Sequence, residues 1–202
     1  MNFKKLIPEL VEGIKHLGFD EQPKQIQSES IPIIKSGGDL FMISPEQSGK
    51  STALLIGVIQ QLKEEFEEAP RAIIIAPTRE HVKELEQQFE KLAFRTSLRV
   101  FSVFEQGDIK HQKDLIFDGI DVLIGTPIQI TELIKKNGIP LSIVKMIVVD
   151  DANEITLDKY RHIYGVVDKA PKAQVIISAN SWSKNFEKLD LEIMKNPKLI
   201  TL

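Results

Sequence analysis

Cysteine is absent from this sequence of 202 residues, which excludes disulfide bonds, thiolate zinc sites and cysteine nucleophiles. Long apolar runs are also absent, since runs such as residues 72–76 and 147–149 have only the length of a strand. A membrane span needs about 18 apolar residues in succession, and a secretory signal needs an uninterrupted apolar segment after its basic residues. These absences predict a cytoplasmic protein that has no membrane association.

Basic residues are not in excess, because the net charge at pH 7 is -3. Domains that bind nucleic acid are often basic, so any RNA contact must come from a local patch. The acidic segment at residues 63–68 is interpreted as a solvated helix end. With 42% hydrophobic and 27% charged residues, the composition is typical of a globular protein, and the length fits one domain.

Hydrophobic periodicity predicts an alternation of strands and helices. Leu6, Leu10, Ile14 and Leu17 recur at helical spacing, and a second short helix is predicted at residues 26–34. The predicted strands are residues 39–44, 72–76, 99–103, 121–125, 144–150 and 173–178. The predicted longer helices are residues 50–66, 79–94, 109–117, 128–136, 158–169 and 184–194. This alternation predicts an α/β domain whose mostly parallel sheet carries helices on both faces and binds ligands at the carboxyl ends of its strands.

A phosphate-binding loop is predicted after the first strand, where residues 44–52 read Ser-Pro-Glu-Gln-Ser-Gly-Lys-Ser-Thr. A strand, a loop of small residues, Gly-Lys-Ser and a helix are the context of a P-loop, in which backbone N–H groups hold phosphates. Lys50 would reach the terminal phosphates, and Ser51 would ligate Mg²⁺. The predicted nucleotide-binding residues of the loop are Ser48, Gly49, Lys50, Ser51 and Thr52.

The loop also lacks two of the usual glycines, whose places are taken by Ser44 and Gln47. Glycine lets the backbone turn freely and approach a ligand, so the Gln47 side chain is expected to crowd the phosphates. A chance Gly-Lys-Ser at the start of a helix is the alternative interpretation.

An apolar strand ending in two acids predicts the partner of this loop. Residues 147–151 read Ile-Val-Val-Asp-Asp, a Walker-B pattern in which Asp150 would hold Mg²⁺ and Asp151 would orient the attacking water. A glutamate is expected in the second position, so the Asp151 carboxylate is short by one C–C bond, ~1.5 Å. A misplacement of that order can cost on the order of 10²-fold in rate. The alternative is an Asp-Asp pair that only caps the next loop.

Motifs in a fixed order resemble those of the DEAD-box RNA helicases. The resemblances are the Q motif at 18–27, the P-loop, motif Ia at 77–80, the paired-glycine motif near Gly107, motif Ib at 126–127, Asp-Glu-Ala-Asp at 150–153 and Ser-Ala-Thr at 178–180. Residues 196–200 resemble the close of the family's first RecA-like domain. The resemblance implies a RecA-like P-loop NTPase fold, a three-layer sandwich with a helical Q-motif region at 1–36 and a P-loop core at 37–202.

The resemblance also implies roles for individual residues, with ATP or ADP and Mg²⁺ as cofactors. Gln27 would read the adenine, and Phe19 would pack on its ring. The residues expected along an RNA backbone are Thr78, Arg79, Gly107, Thr126 and Pro127. The residues expected to couple nucleotide state to RNA binding are Asn153, Ser178 and Asn180.

Several positions depart from the family pattern. Lys24 replaces the Thr or Ser of the Q motif, His81 and Val82 replace the Leu-Ala after motif Ia, and Gln129 replaces a backbone-gripping arginine. Asparagine replaces the last acid of Asp-Glu-Ala-Asp, at Asn153, and the threonine of Ser-Ala-Thr, at Asn180. No second RecA-like domain is expected in these residues. The arginine fingers that such a domain carries in the family would then be missing as well, and they can raise the rate of hydrolysis by ~10³–10⁵.

Three side chains receive specific predictions. The amides of Asn153 and Asn180 are expected to bond directly to one another, within ~3.2 Å, because each can donate and accept. His81 is interpreted as a plain surface or packing residue and not as a catalytic group. Trp182 is interpreted as a packing anchor and not as a base-stacking platform.

Three functions are compatible with these patterns. The first is an ATP- and RNA-binding helicase-type ATPase domain that works with a second domain or protein in trans. The second is a pseudo-enzyme that keeps the fold for protein or RNA interaction. The third, a small-molecule kinase on a P-loop fold, is disfavoured because helicase-like motifs fill the loops where an acceptor site would lie.

Overall fold

The computed structural model describes residues 3–19, 22–66, 68–105, 107–184, 186–187 and 193–202. In this part of the chain the strands are β1 Leu40–Ile43, β2 Ala72–Ile75, β3 Val100–Val103, β4 Val122–Gly125, β5 Met146–Val149, β6 Gln174–Ala179 and β7 Lys198–Thr201. The helices are α1 Pro8–His16, α2 Gln25–Lys35, α3 Lys50–Leu62, α4 Arg79–Ala93, α5 Ile109–Phe117, α6 Pro127–Lys135 and α7 Leu157–Lys169. Short 3-10 helices cover Phe3–Lys5 and Ala152–Glu154.

The strands form one sheet in the order β3-β4-β2-β5-β6-β1-β7, and every neighbouring pair is parallel. Alternate residues of each strand enter opposite apolar layers, as the two-residue period of a strand requires. Met42, for example, packs with α1 to α4 on one face, whereas Phe41 packs with α5 to α7 on the other. The predicted α/β fold with a mostly parallel sheet is confirmed.

The predicted strands and helices are present, with shifts of a few residues at their ends, except in two places. The strand β7 was not predicted, because its exposed Lys198, Leu199 and Thr201 around a buried Ile200 give little apolar signal. The predicted helix at residues 184–194 lies largely outside the described residues, as do Asp20 and Glu21 of the Q motif.

The prediction of a helix end at residues 63–68 was wrong for its described part. The helix α3 ends at Leu62, and Lys63 takes a left-handed φ of 66°. Arg71, which directly precedes β2, holds the loop after α3 in place, because its guanidinium donates to the carbonyls of Leu62 and Glu64. The end of α3 at Leu62 therefore supplies carbonyl acceptors for the buried Arg71 guanidinium.

A buried carboxylate joins the amino ends of three adjacent strands. Asp121 precedes β4 and is fully buried. Its oxygens lie 2.6 Å from Arg71 Nη2 and 2.9 Å from Arg99 Nε, and they accept the backbone N–H groups of Phe66 and Arg99. Burial opposes ionisation of Asp121, but these donors outweigh it and keep the pKa of the carboxyl below its ordinary value.

We expect Asp121→Ala to lower the free energy of unfolding by about 3–5 kcal/mol, because it leaves the buried Arg71 guanidinium without its anion. Urea unfolding would measure the loss. Asp118→Ala is the matched control, because Asp118 is exposed nearby and should change stability by no more than about 0.5 kcal/mol. Equal effects of the two substitutions would show that this cluster does not hold the sheet together.

Candidate functional site

The residues predicted to bind phosphate and Mg²⁺ and to couple the site lie at the carboxyl ends of four adjacent strands, and His81 lies among them. The strands β2, β5, β6 and β1 are neighbours in that order. The segments that leave them carry Thr78 and His81 after β2, Asp150 and Asp151 after β5, Asn180 after β6 and the P-loop after β1. Parallel strands end at one edge of the sheet, so these side chains share a single surface.

A cleft of about 380 Å³ lies in front of the P-loop. Its lining residues are Phe19, Lys24, Glu46, Gln47, Gly49, Lys50, Ser51, Thr52, Gln88, Asp151 and Asn180. A larger hollow of about 520 Å³ lies between α6 and α7, lined by basic and apolar side chains such as Lys135, Arg161 and Ile134. The smaller cleft is the stronger candidate, because it combines a helix N-terminus, an amine and carboxylates.

The P-loop backbone keeps a glycine-like turn in spite of its missing glycine. Gln47 has a φ of 58° and Gly49 a φ of 97°, so both lie in the left-handed region where a side chain is strained. The Lys24 ammonium donates to the Gln47 carbonyl at 2.8 Å and thereby holds this turn. Gln47 lines the cleft, and the expected crowding of phosphates by its side chain stays a prediction.

The Q-motif glutamine is attached to the same loop. The side-chain oxygen of Gln27 accepts the N–H of Lys24 at 2.9 Å, and its amide nitrogen lies 3.5 Å from the carbonyl of Gly49. Phe19 is 38% exposed at the rim of the cleft, where its ring is open to contact. Ser48 is not among the lining residues, and its hydroxyl is buried without a protein partner.

The Lys50 ammonium is fully engaged by the protein. Its Nζ lies 2.6 Å from the carbonyl oxygen of Ser44, 2.9 Å from that of Pro45 and 2.8 Å from Asn180 Oδ1. Burial lowers the pKa of Lys50, although nearby carboxylates oppose the shift. An ammonium has three donors, so a phosphate oxygen must displace one of these acceptors to reach it.

The Asp150 carboxylate is completely buried at the end of β5. It accepts a hydrogen bond from the Ser178 hydroxyl, faces His81 at hydrogen-bond distance and has the Ser51 hydroxyl nearby. Burial opposes its ionisation, but the interactions with His81, Ser178 and Ser51 outweigh burial and keep the pKa of Asp150 below its ordinary value. Asp150 and Ser51 therefore present oxygen donors side by side, and such hard donors fit Mg²⁺.

Asp151 follows in a left-handed conformation, with a φ of 45°. Its backbone N–H donates to the Ser178 hydroxyl at 3.2 Å, and its carboxylate points to the cleft. Burial and the charge of Asp150 both raise the pKa of Asp151. The second acid of the pair is thus the more basic one, as a group that orients or deprotonates water should be.

The interpretation of His81 as a plain surface or packing residue was wrong. Its ring lies between the two acids, with Nε2 3.1 Å from Asp150 Oδ2 and Nδ1 3.7 Å from Asp151 Oδ2. The hydrogen bond with Asp150 raises the pKa of His81, although burial opposes it. His81 lies in the first turn of α4, directly after β2, and β2 is the neighbour of β5. This adjacency was the signal that could have revealed the contact with the acids at the end of β5.

The predicted amide pair of Asn153 and Asn180 was also wrong in its form. The Asn153 side-chain oxygen accepts the backbone N–H of Asn180 at 2.8 Å. The Asn180 side chain turns instead to the P-loop, where its oxygen binds Lys50 and its nitrogen lies 3.4 Å from Glu46 Oε1. The two segments are linked, but through a backbone N–H that any residue except proline would supply at position 180.

A family model described as DEAD/DEAH box helicase matches residues 24–189. The chain belongs to the DEAD/DEAH box helicase family. This agrees with the resemblance drawn from the motifs, and it places the P-loop, both acids and Ser178 inside the matched region.

Individual relatives of this family cover nearly the whole chain. It is 28% identical to a DEAD-box ATP-dependent RNA helicase of Bacillus cereus, over 98% of this chain and 51% of the relative. It is 26% identical to the ATP-dependent RNA helicase vasa of Drosophila melanogaster, over 93% of this chain and 29% of the relative. The chain thus spans about half or less of the length of these relatives.

A solved structure supports the fold. A DEAD box protein from the hyperthermophile Methanococcus jannaschii superposes with a TM-score of 0.89 at 22% identity, covering 100% of this chain and 56% of the other. The RecA-like fold of a DEAD-box domain is therefore confirmed.

The residues expected along an RNA backbone lie on the other half of the same edge, at the ends of β3, β4 and β2. The hydroxyls of Thr78 and Thr126 accept backbone N–H groups and cap α4 and α6. The Arg79 guanidinium lies 4.3 Å from the centre of the Phe104 ring, which holds it at the surface. Gly107 and Pro127 lie in the adjoining segments.

The substituted arginine position of motif Ib is buried. Gln129 is 4% exposed, and its amide donates to Gln112 Oε1 at 2.8 Å. Gln112 also lies against Gly107, where an added Cβ would come within 1.8 Å of its amide nitrogen. The buried Gln129 side chain therefore links α6 to α5, and through Gln112 to the loop at Gly107, and does not extend to the surface.

Trp182 packs as predicted. Its ring meets those of Phe41 and Phe186 edge-on, with centroids 5.4 and 5.7 Å apart. This geometry is typical of stabilising aromatic pairs. The predicted packing role is confirmed, whereas the absence of a base-stacking role stays a prediction, because the ring is 43% exposed.

The raised pKa of His81 gives the stability a predictable dependence on pH. Protonated His81 binds Asp150 in the folded chain, so its stabilisation is complete below the unfolded pKa, about 6.5. It is lost as the pH rises through the higher folded pKa. We expect the melting temperature of the unmodified chain to exceed that of His81→Leu by more at about pH 5.5 than at about pH 9.

Differential scanning calorimetry of both chains would test this expectation. His111→Leu serves as the control, because that histidine is exposed on α5 and its removal should give no comparable trend. A gap for His81→Leu that is constant or widens as the pH rises would contradict the His81–Asp150 contact.

Proposed function

We propose that this chain is an ATP- and RNA-binding domain of a DEAD-box helicase, with weak or no hydrolysis by this domain alone. The observation that carries the proposal is the convergence of two segments on one cleft. The P-loop supplies Lys50 and Ser51, and the end of β5 supplies Asp151, with the buried Asp150 beside Ser51. Residues 1–202 would form one RecA-like domain, with the helical Q-motif region at 1–36 and the P-loop core at 37–202. A cytoplasmic location belongs to the same proposal.

The nucleotide is proposed to lie along the cleft. The backbone of residues 48–52 and the N-terminus of α3 would hold the phosphates, and Gln27 and Phe19 would take the adenine. Ser51 and Asp150 would hold Mg²⁺, which when bound neutralises phosphate charge. Asp151 would orient water, with Asn153, Ser178 and Asn180 coupling the site to the RNA side.

Three features support low turnover. The Asp151 carboxylate is ~1.5 Å shorter in reach than a glutamate, and Lys50 is held by three protein acceptors. The chain covers 51% or less of the helicases described above, so a second RecA-like domain or a protein partner would supply the remaining catalytic groups. The second candidate function is an inactive pseudo-helicase domain, which the Lys50–Asn180 contact favours.

Nucleotide binding should be visible as thermal stabilisation. A ligand present at about 100 times its Kd stabilises the folded state by about 2.7 kcal/mol, so saturating Mg·ADP should raise the melting temperature by several degrees. Lys50→Ala should abolish the shift, whereas Lys91→Ala, exposed on α4, should retain it. No shift in the unmodified chain, with a known ATPase responding in the same assay, would refute nucleotide binding.

RNA binding should be weak, strongly dependent on salt and indifferent to sequence, because the proposed contacts reach the backbone. Fluorescence anisotropy with single-stranded RNA at several salt concentrations would measure it. Arg79→Ala should weaken binding uniformly across sequences and reduce the salt slope by about 1.

Arg95→Ala is the matched control for this measurement. Arg95 follows the end of α4, at the opposite edge of the sheet, and is exposed beside Glu12. Tight, sequence-selective binding that survives high salt would contradict backbone recognition. Equal effects of the two arginine substitutions would contradict the proposed location of the RNA.

A further inference from the structure

The position after motif Ia places a nitrogen ligand beside the Walker-B acid. Where the DEAD-box pattern has leucine, this chain has His81, and its Nε2 lies 3.1 Å from Asp150 Oδ2. His81, Asp150 and Asp151 each offer a donor atom within 4.8 Å of the others. The Ser51 hydroxyl also contacts Asp150. Nitrogen and oxygen donors thus meet at one point.

The distances suit a small divalent ion. Imidazole and carboxylate bind such ions at ~2.0–2.2 Å, and two adjacent ligands at right angles on that ion lie ~3.0 Å apart. The Nε2-to-Oδ2 distance of 3.1 Å needs little adjustment to admit a cation bound to both atoms. Asp150 is held by its hydrogen bond with Ser178. The His81 side chain is only 18% exposed, so the surrounding residues restrict its movement, and both ligands are held in place.

Asp151 completes the arrangement from behind the ring. Its carboxylate oxygen lies 3.7 Å from Nδ1, the ring nitrogen that does not face Asp150. This separation is longer than a hydrogen bond, so a small turn of the ring toward Asp151 accompanies metal binding in the proposed site. Histidines that ligate metals commonly donate their second N–H to a carboxylate, which orients the ring and makes the ligating nitrogen more basic. One imidazole therefore lies between a ligand and an orienting acid.

We propose that His81 and Asp150, with Ser51 beside them and Asp151 orienting the ring, form a site for a transition-metal dication such as Co²⁺, Ni²⁺ or Zn²⁺. Imidazole suits these ions, whereas Mg²⁺ takes oxygen ligands and keeps its water. The site binds such an ion without nucleotide. The inference rests on the proposed function in that it uses the same Asp150 and Ser51.

Co²⁺ is the direct probe, because the visible absorption of bound Co²⁺ reports its ligands. The chain has no cysteine, so this absorption cannot arise from thiolate ligands. We expect saturable Co²⁺ absorption with one ion per chain in the nucleotide-free protein, and competition by Zn²⁺. His81→Leu should weaken Co²⁺ binding at least tenfold, and Asp151→Asn by about tenfold. His111→Leu should leave it unchanged.

A second measurement of metal binding uses the unmodified chain. Substoichiometric Cu²⁺, a paramagnetic ion that imidazole binds well, should broaden the imidazole NMR signals of His81 before those of the other three histidines. The Mg·ADP thermal shift, measured in parallel on His81→Leu, should persist, since the oxygen donors of Ser51 and Asp150 remain.

The outcomes separate the two proposals. Absent Co²⁺ binding, binding unchanged by His81→Leu, or equal broadening of all histidines would overturn the metal site. Any of these together with a retained Mg·ADP shift would leave the nucleotide-binding proposal intact. Cobalt binding that depends on His81, in a chain that shows no Mg·ADP shift, would support the metal site and reject the nucleotide site.

Discussion

The buried carboxylate of Asp150 is the constraint on which the site depends. Removing a carboxylate from water costs several kcal/mol unless charged or hydrogen-bonding partners surround it. Here the partners come from three elements, since Ser178 belongs to β6, Ser51 to α3 and His81 to α4. Each element must pack where its donor reaches the acid, so the geometry of the cleft follows from satisfying one charge at the end of a central strand.

The departures from the family pattern have a common physical effect. His81 gives a protein partner to Asp150, and Asn180 gives one to Lys50, the two charges that a nucleotide and its metal would otherwise engage. The altered motifs therefore satisfy the site internally without dismantling it. Under the proposed function, nucleotide binding would be an exchange of partners, which would lower affinity and favour slow turnover. Under the proposed metal site, a cation that accepts nitrogen ligands would gain an advantage.

The sequence predicted the fold and most of the cleft, because both depend on short periodic patterns. Apolar strands such as 72–76 and the order of motifs placed the edge at which Lys50 and Asp150 meet. The errors concern side-chain direction. His81 contacts a residue 69 positions away through the neighbouring strand, and Asn180 had several acceptors and donors within reach. Spacing along one chain carries no information about which of these a side chain selects.

Calorimetric titration of ADP with and without Mg²⁺, on the unmodified chain and on Asp150→Asn, tests the central role of Asp150 most directly. The substitution keeps the shape and removes the charge. We expect Mg²⁺ to strengthen ADP binding by at least tenfold in the unmodified chain and by little in Asp150→Asn. An equal gain from Mg²⁺ in both chains would contradict the central role of Asp150, because the metal would then be held without this carboxylate.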